Sequence, residues 1–315
     1  MAHYKIAFVG IGSIGKRHLK NVCAFLEKRG DSYLIDLYRS NIRVSLSEEI
    51  MIKVNRQLSL YDIIDIDTYY DIVFVTNPTS LHYKTLSLFV GFTRSFFIEK
   101  PVFDTTSIDT SIFSRLQHTI CYVACPLRYC PTLTYLKENI DFRDVISVRA
   151  MSSSYLPDWR PGQDYRKCYS AHRDMGGGVG IDLIHEWDYL TSFFGLPIKV
   201  FSIQGQISPL EIDSEDIAIY IAKAENVTIE LHLDYFGRKT QRTLELFMKE
   251  DTIQCDIENG HIQFMKEAKI INLKTERNDY QMMEIEHFFD IVDGNIQNDS
   301  TIEHAYNVLK IAKGE

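Results

Sequence analysis

Apolar residues fall in two patterns along this chain. In the first part they form short, mainly apolar runs: Ile6 to Val9, Tyr33 to Tyr38, Asp71 to Thr76, Ser95 to Ile98 and Ile120 to Ala124. Runs of this length, bounded by turn residues, predict strands buried on both faces, as in a parallel sheet. Between the first two, Leu19, Val22, Cys23 and Leu26 line one face of a helix predicted over Ile14 to Lys28. The later part reads differently. Val145 to Ser152, Val200 to Ile207, Asp216 to Ala224, Val227 to Tyr235, Gln241 to Met248, Thr252 to Ile257 and His261 to Met265 all predict strands. Val227 to Asp234 alternates apolar and polar residues, as a sheet with one wet face requires. Asn259-Gly260 signals a hairpin. Helices are expected near Tyr280 to Val292 and Thr301 to Lys313, with Phe288, Phe289, Ile291 and Val292 in the core.

The junctions after the early strands carry the chemistry. Gly10, Gly12 and Gly15 form G-x-G-x-x-G between the first strand and a helix starting near Ser13. Gly10 permits the tight turn, Gly12 lets a pyrophosphate approach the backbone, and Gly15 lets helix and strand pack closely. The N–H groups of the first turn, from Ser13 and Ile14 onward, then face an anion. This is the dinucleotide-binding pattern of a Rossmann doubly wound sheet. At the end of the second strand Asp36 lies inside the apolar run, and the residues leaving it are Tyr38, Arg39 and Ser40. An Arg beside a hydroxyl suits a 2′-phosphate better than a free diol, which favours NADP slightly over NAD. The next strands end in Thr76-Asn77-Pro78 with His82 following, and in Glu99-Lys100-Pro101. Strand carboxyl ends are where ligands bind in open α/β sheets.

Composition narrows the class. The 315 residues allow two domains, read here as 1–124 for dinucleotide binding and 125–315 for an α+β substrate and oligomerisation domain. A formal charge of −9 argues against a general nucleic-acid or acidic-membrane binder. No run approaches a membrane span and no apolar leader precedes the first strand, so a cytoplasmic protein is expected. The six cysteines lack zinc-ligand spacing and read as reduced thiols, and no metal site is expected. Arg128, Arg160, Tyr165 and Arg166 lie in Gly- and Pro-rich loops and suit a carboxylate or phosphate, while Trp159 suits a sugar face or a uracil. Gly176 to Gly178 are expected to let backbone approach a substrate closely.

The chain resembles the Gfo/Idh/MocA oxidoreductases. The likeness is carried by Gly10 to Gly15 with Arg17-His18, by Thr76-Asn77-Pro78-Thr79 with His82, by Glu99-Lys100-Pro101, and by Gly176-Gly177-Gly178 leading to Asp182 and His185. Within the family it looks most like members acting on sugars or nucleotide sugars for surface polysaccharides, on Ser154 to Pro161 with Asp164-Tyr165-Arg166. The resemblance implies a second domain with an open, mainly antiparallel sheet. It implies hydride transfer between NAD or NADP and a hydroxyl or keto carbon, with Lys100, Asp182 and His185 converging beneath the nicotinamide. It further implies a homodimer or homotetramer formed through the second sheet. His185 follows Asp182 by three residues where the family uses four, and either spacing puts both on one helix face. The alternative is a non-catalytic dinucleotide-binding regulator or sensor on the same fold.

Overall fold

The computed structural model describes residues 1–60 and 68–315. They form two compact units: Met1–Ala124 with Gln281–Tyr306, and Cys125–Tyr280 with Asn307–Glu315.

The first unit is a doubly wound sheet. Its strands are β1 (His3–Val9), β2 (Ser32–Arg39), β3 (Arg56–Ser59), β4 (Tyr70–Val75), β5 (Thr93–Ile98) and β6 (Ile120–Val123). They run parallel in the order 3-2-1-4-5-6. Helix α1 (Ser13–Arg29) is followed by α2 (Glu48–Met51), α3 (His82–Phe89) and α4 (Ser111–Leu116). Consecutive residues Ile6 to Val9, Ile72 to Val75 and Phe96 to Ile98 are all buried, as strands covered on both faces must be. The strand order reverses between β1 and β4, the switch point at which such sheets bind ligands. The expected domain running from 125 to 315 without interruption is corrected, because residues 281–306 belong to the first unit. Ile285, Phe288, Phe289, Ile291 and Val292 join the core of Phe8, Phe74, Phe97 and Tyr122. Phe288 meets Phe97 edge-on at 5.1 Å between ring centroids.

The second unit opens with α5 (Pro131–Asn139) and the long strand β7 (Val145–Tyr155). Helices α6 (Val179–Asp182) and α7 (His185–Phe194) precede β8 (Lys199–Gly205), β9 (Ile217–Ala224), β10 (Val227–Asp234), β11 (Phe236–Met248), β12 (Thr252–Asp256), β13 (His261–Phe264) and β14 (Lys269–Asn272). The sheet order is 14-13-12-11-7-10-9-8, antiparallel except where β7 and β10 pair in parallel. Along β10, Ile229, Leu231 and Leu233 are buried while Glu230 is exposed, so one face packs and the other is open. Helices α8 (Arg277–Val292) and α9 (Ile302–Ala312) end the chain. Two of the edge strands, β3 and β14, lie outside the strands expected from sequence; each is four residues long and partly polar.

Candidate functional site

Strand β1 hands the chain to Gly10, whose backbone has φ +99°. A Cβ here would lie 2.6 Å from the backbone of Asn77, so only glycine fits against the segment leaving β4. At Gly15 a Cβ would come within 2.8 Å of the Gly10 carbonyl and the Thr76 hydroxyl, which keeps the helix close to the strand. Gly12 differs: a Cβ there would meet nothing within 4 Å. The loop is therefore tight at both ends and open in the middle. Gly12 is the N-cap of α1, and the first ladder bond runs from Lys16 N–H to the Gly12 carbonyl at 3.0 Å. The N–H groups of Ser13, Ile14 and Gly15 precede that ladder and are available to an anion.

The turn after β4 is built to hold this loop. Thr76 Oγ1 donates to the Gly10 carbonyl at 2.9 Å. Asn77 Nδ2 donates to Thr85 Oγ1 at 2.8 Å, while Asn77 Oδ1 is buried and meets no donor among the described residues. Pro78 is extended and passes the chain into a short turn toward α3. His82 is buried with its ring nitrogens 3.2 Å from the Val102 carbonyl and 3.1 Å from that of Asn77, and burial holds it below the ordinary histidine range. A tight glycine turn, an open middle, helical N–H groups and an orphaned amide acceptor together fit a dinucleotide.

Glu99 and Lys100 emerge directly after β5. Glu99 N–H donates to the Val75 carbonyl at 3.0 Å, and its carboxylate shares a hydrogen bond with His18 Nε2 of α1. Burial alone would raise the Glu99 pKa, but the His18 bond and the charges of His18 and Lys100 hold it below the usual carboxylate value. Lys100 is half-buried.

At the end of β2, Asp36 has a structural task. Arg56 grips it through two bonds of 2.9 and 2.6 Å, and Tyr70 donates to it at 2.8 Å. Arg39 is buried, with Nη1 on Gln57 at 2.8 Å and Nη2 on the Val44 carbonyl at 2.7 Å, while Ser40 is exposed.

In the second unit Asp182 is buried and accepts from Tyr235 Oη at 2.5 Å. Burial, then the Asp182 charge, pushes the phenols of Tyr235 and Tyr169 up. Asp182 and His185 do not share one helix, contrary to the expected common face. Helix α6 ends at Asp182 and α7 starts at His185. The link tightens into i−3 bonds, Ile184 N–H to Ile181 O and Glu186 N–H to Leu183 O, and Leu183 leaves helical geometry. His185 is half-buried. The close approach at Gly177 and Gly178, before α6, is to the chain itself. A Cβ at Gly177 would lie 2.2 Å from the Tyr169 carbonyl, and one at Gly178 would lie 2.0 Å from the Glu215 carboxylate. Burial raises the Glu215 pKa, and the Asp182 charge adds to the rise.

Two of the loop arginines, Arg128 and Arg166, are engaged by carboxylates of the chain. Asp188 fills the fork of Arg128 at 2.8 and 2.6 Å, a pair less than a tenth exposed on either side. Arg166 is exposed and paired with Asp164 and Glu211, and Tyr165 Oη accepts from Glu211 N–H. Arg160 stacks over Tyr169 at 5.7 Å. Trp159 donates to Ser154 Oγ at 2.9 Å and sets its ring edge-on to Tyr235 at 5.2 Å. Sequence reasoning missed Tyr235, Tyr169 and Glu215 beside Asp182. Their only local signal is position at the end of a strand or in a polar loop.

Among the described residues no cluster of His, Cys, Asp or Glu could hold a metal, and no helix is long and apolar enough to cross a membrane. No family model and no curated sequence matches the chain. Solved structures do match. UDP-N-acetylglucosamine 3-dehydrogenase GnnA from Acidithiobacillus ferrooxidans is 18% identical with TM-score 0.76, covering 100% of this chain and 97% of its own. Levoglucosan dehydrogenase in complex with NADH and levoglucosan is 16% identical with TM-score 0.83, covering 99% and 95%. The WlbA dehydrogenase from Bordetella pertussis in complex with NADH and UDP-GlcNAcA is 13% identical with TM-score 0.79, covering 98% and 94%. The chain thus has the fold of the Gfo/Idh/MocA dehydrogenases, a doubly wound parallel sheet joined to an open, mainly antiparallel one.

Proposed function

We propose that this chain is an NAD(P)-dependent oxidoreductase acting on a hydroxyl or keto carbon of a sugar or nucleotide sugar. The observation that carries the proposal is the glycine loop, closed by Asn77 and Thr76 at its ends and open at Gly12. The fold shared with sugar and nucleotide-sugar dehydrogenases, two of them holding NADH, supports the same reading. Gly10, Gly12, Ser13, Ile14 and Gly15 would hold the diphosphate, with Thr76, Asn77, Pro78 and His82 shaping the next turn. A nicotinamide coenzyme, when bound, supplies the hydride acceptor or donor.

The chain's own groups handle charge and protons. The Lys100 ammonium stabilises a developing alkoxide. His185 takes or gives the hydroxyl proton near neutral pH. Asp182, held by Tyr235, fixes a sugar hydroxyl or orients a neighbouring base. Arg160, Tyr165, Arg166 and Trp159 are proposed for the rest of the substrate, and Arg128 for support through Asp188. Among the described residues of β2, Asp36 is not a free carboxylate, because Arg56 and Tyr70 engage it. That keeps the slight preference for NADP, with Arg39 and Ser40 as the deciding residues. The open sheet face exposes Phe201, Ile203 and Ile221, and we place a homodimer or homotetramer contact there.

The test follows nicotinamide absorbance with NADH and NADPH over a panel of sugars and UDP-sugars. Lys100→Met is expected to lower kcat by roughly 10²–10⁴-fold while coenzyme affinity changes by less than about threefold. A protein that binds coenzyme, turns over nothing and ignores Lys100→Met would be the dinucleotide-binding regulator instead.

A further inference from the structure

The arginines of this chain differ in how much of the guanidinium the protein fills. Arg128 places Nε and Nη2 on Asp188 at 2.8 and 2.6 Å, and Arg29 engages all three nitrogens, on Asp31, Asp293 and Tyr4. Arg242 differs. Its side chain is only 20% exposed, yet it donates a single bond, from Nε to Glu186 Oε1 at 2.6 Å. Its Nη1 and Nη2 reach no acceptor among the described residues, and Glu186 Oε2, buried, meets no donor. Bare donors on a guanidinium largely withdrawn from water are costly until an outside oxygen fills them.

The place of this fork is set within the second unit. Arg242 of β11 stands opposite Ser152 of β7, which stands opposite Leu233 of β10. Ser152 and Leu233 are buried, so the row belongs to the packed face. Tyr235, two residues after Leu233, holds Asp182. Glu186 lies in the first turn of α7 and directly follows His185. The guanidinium is thus anchored at the start of the helix that carries the candidate proton-transfer residue.

Charge balance selects the ligand. Glu186 supplies the counter-charge of Arg242, and its side chain is 0% exposed, out of reach of screening ions. Glu258, exposed, adds negative potential at Arg242 without forming an ion pair. An anion on the Nη groups would leave a net negative charge beside a buried carboxylate, whereas a hydroxyl oxygen leaves the pair neutral. We propose that Arg242 is a substrate-binding residue that donates from Nη1 and Nη2 to neighbouring hydroxyls of an uncharged sugar ring, with Glu186 as the positioning residue that aims the fork and turns acidic sugars away. This rests on the reading of His185 and Asp182 as parts of a sugar dehydrogenase site.

The experiment treats the full-length protein, with NADH, with phenylglyoxal, which attacks a guanidinium through its two Nη groups. Each arginine is followed by peptide mass spectrometry. Arg242 is expected to react roughly tenfold faster than Arg128, whose fork Asp188 fills. Equal rates overturn the proposal. D-glucose with D-glucuronate, and UDP-glucose with UDP-glucuronate, form probe pairs that differ at C6, hydroxymethyl against carboxylate. The uncharged member of at least one pair should slow Arg242 labelling about fivefold more than its charged partner does. Protection by no probe, or stronger protection by the charged members, overturns the proposal. Glu186→Gln removes the counter-charge and should bring the charged member to at least equal protection. A merely structural ion pair would lower thermal stability and leave the preference unchanged, and that result overturns the role of Glu186. If Glu186→Gln does not fold, labelling and protection of the unmodified protein decide alone. Neither readout needs turnover. Protection without activity in the nicotinamide assay removes the dehydrogenase reading, and activity without protection removes this one.

Discussion

The two sheets solve burial in opposite ways, and this decides where each carries chemistry. The parallel sheet is covered on both faces, and its candidate site residues stand at strand ends: Gly10 after β1, Thr76 and Asn77 after β4, Glu99 and Lys100 after β5. The antiparallel sheet leaves one face bare, and the carboxylates of its unit are held by partners far apart in sequence. Asp182 and Tyr235 meet across 53 residues of sequence, and the Glu215 carboxylate packs against Gly178. One unit holds functional groups where the chain leaves a strand; the other assembles them from distant segments.

The sharpest test of that contrast is a pair of glycine substitutions. At Gly10 the obstacle is backbone, 2.6 Å away, so Gly10→Val should cost roughly 3 kcal/mol or more and abolish NADH binding. At Gly178 the obstacle is the end of the Glu215 side chain, so Gly178→Ala should cost less, about 1–3 kcal/mol, chiefly from a backbone region that glycine alone readily adopts. Chemical denaturation of both variants decides; equal losses would erase the contrast. Next comes Asp36→Asn, expected to destabilise by about 1–3 kcal/mol at neutral pH. Burial alone would raise the Asp36 pKa, but Arg56 and Tyr70 hold it below the usual value. Its contribution is therefore complete above the unfolded pKa of about 3.9 and is lost as pH falls through the lower folded value. Urea titrations should show the variant's deficit at pH 7 and a smaller one near pH 3. Gly12→Ala is a milder probe: thermal stability should hold, because nothing lies within 4 Å, while NADH affinity falls roughly tenfold. The smallest effect on folding belongs to the bare face. Phe201→Glu should change stability by less than about 0.5 kcal/mol yet shift sedimentation toward a smaller species.

The same contrast explains what could be read from sequence. Strands of the parallel sheet announce themselves as apolar runs, and contiguous motifs such as Gly10 to Gly15 and Glu99-Lys100 carry their own context. β3 stayed hidden because Arg56-Gln57-Leu58-Ser59 has almost no apolar signal at a sheet edge. β11 begins at Phe236, five residues before the alternation at Gln241, because the Asp234 carboxylate accepts Phe236 and Gly237 N–H at 3.1 and 2.7 Å. Arg128 reads as an anion ligand until Asp188, 60 residues later, is placed in its fork. The break between Asp182 and His185 is set by tertiary packing, which helical spacing does not reveal.

Residues 281–306 lie near the end of the chain but belong to the first unit's core. During synthesis from the N-terminus, Phe74, Phe97 and Tyr122 must wait for Phe288 and Phe289 before their cluster can close. The unit that begins first therefore finishes late, after most of the second unit has left the ribosome. Chains stopped after residue 124 should consequently be captured by chaperones rather than fold into a free nucleotide-binding module.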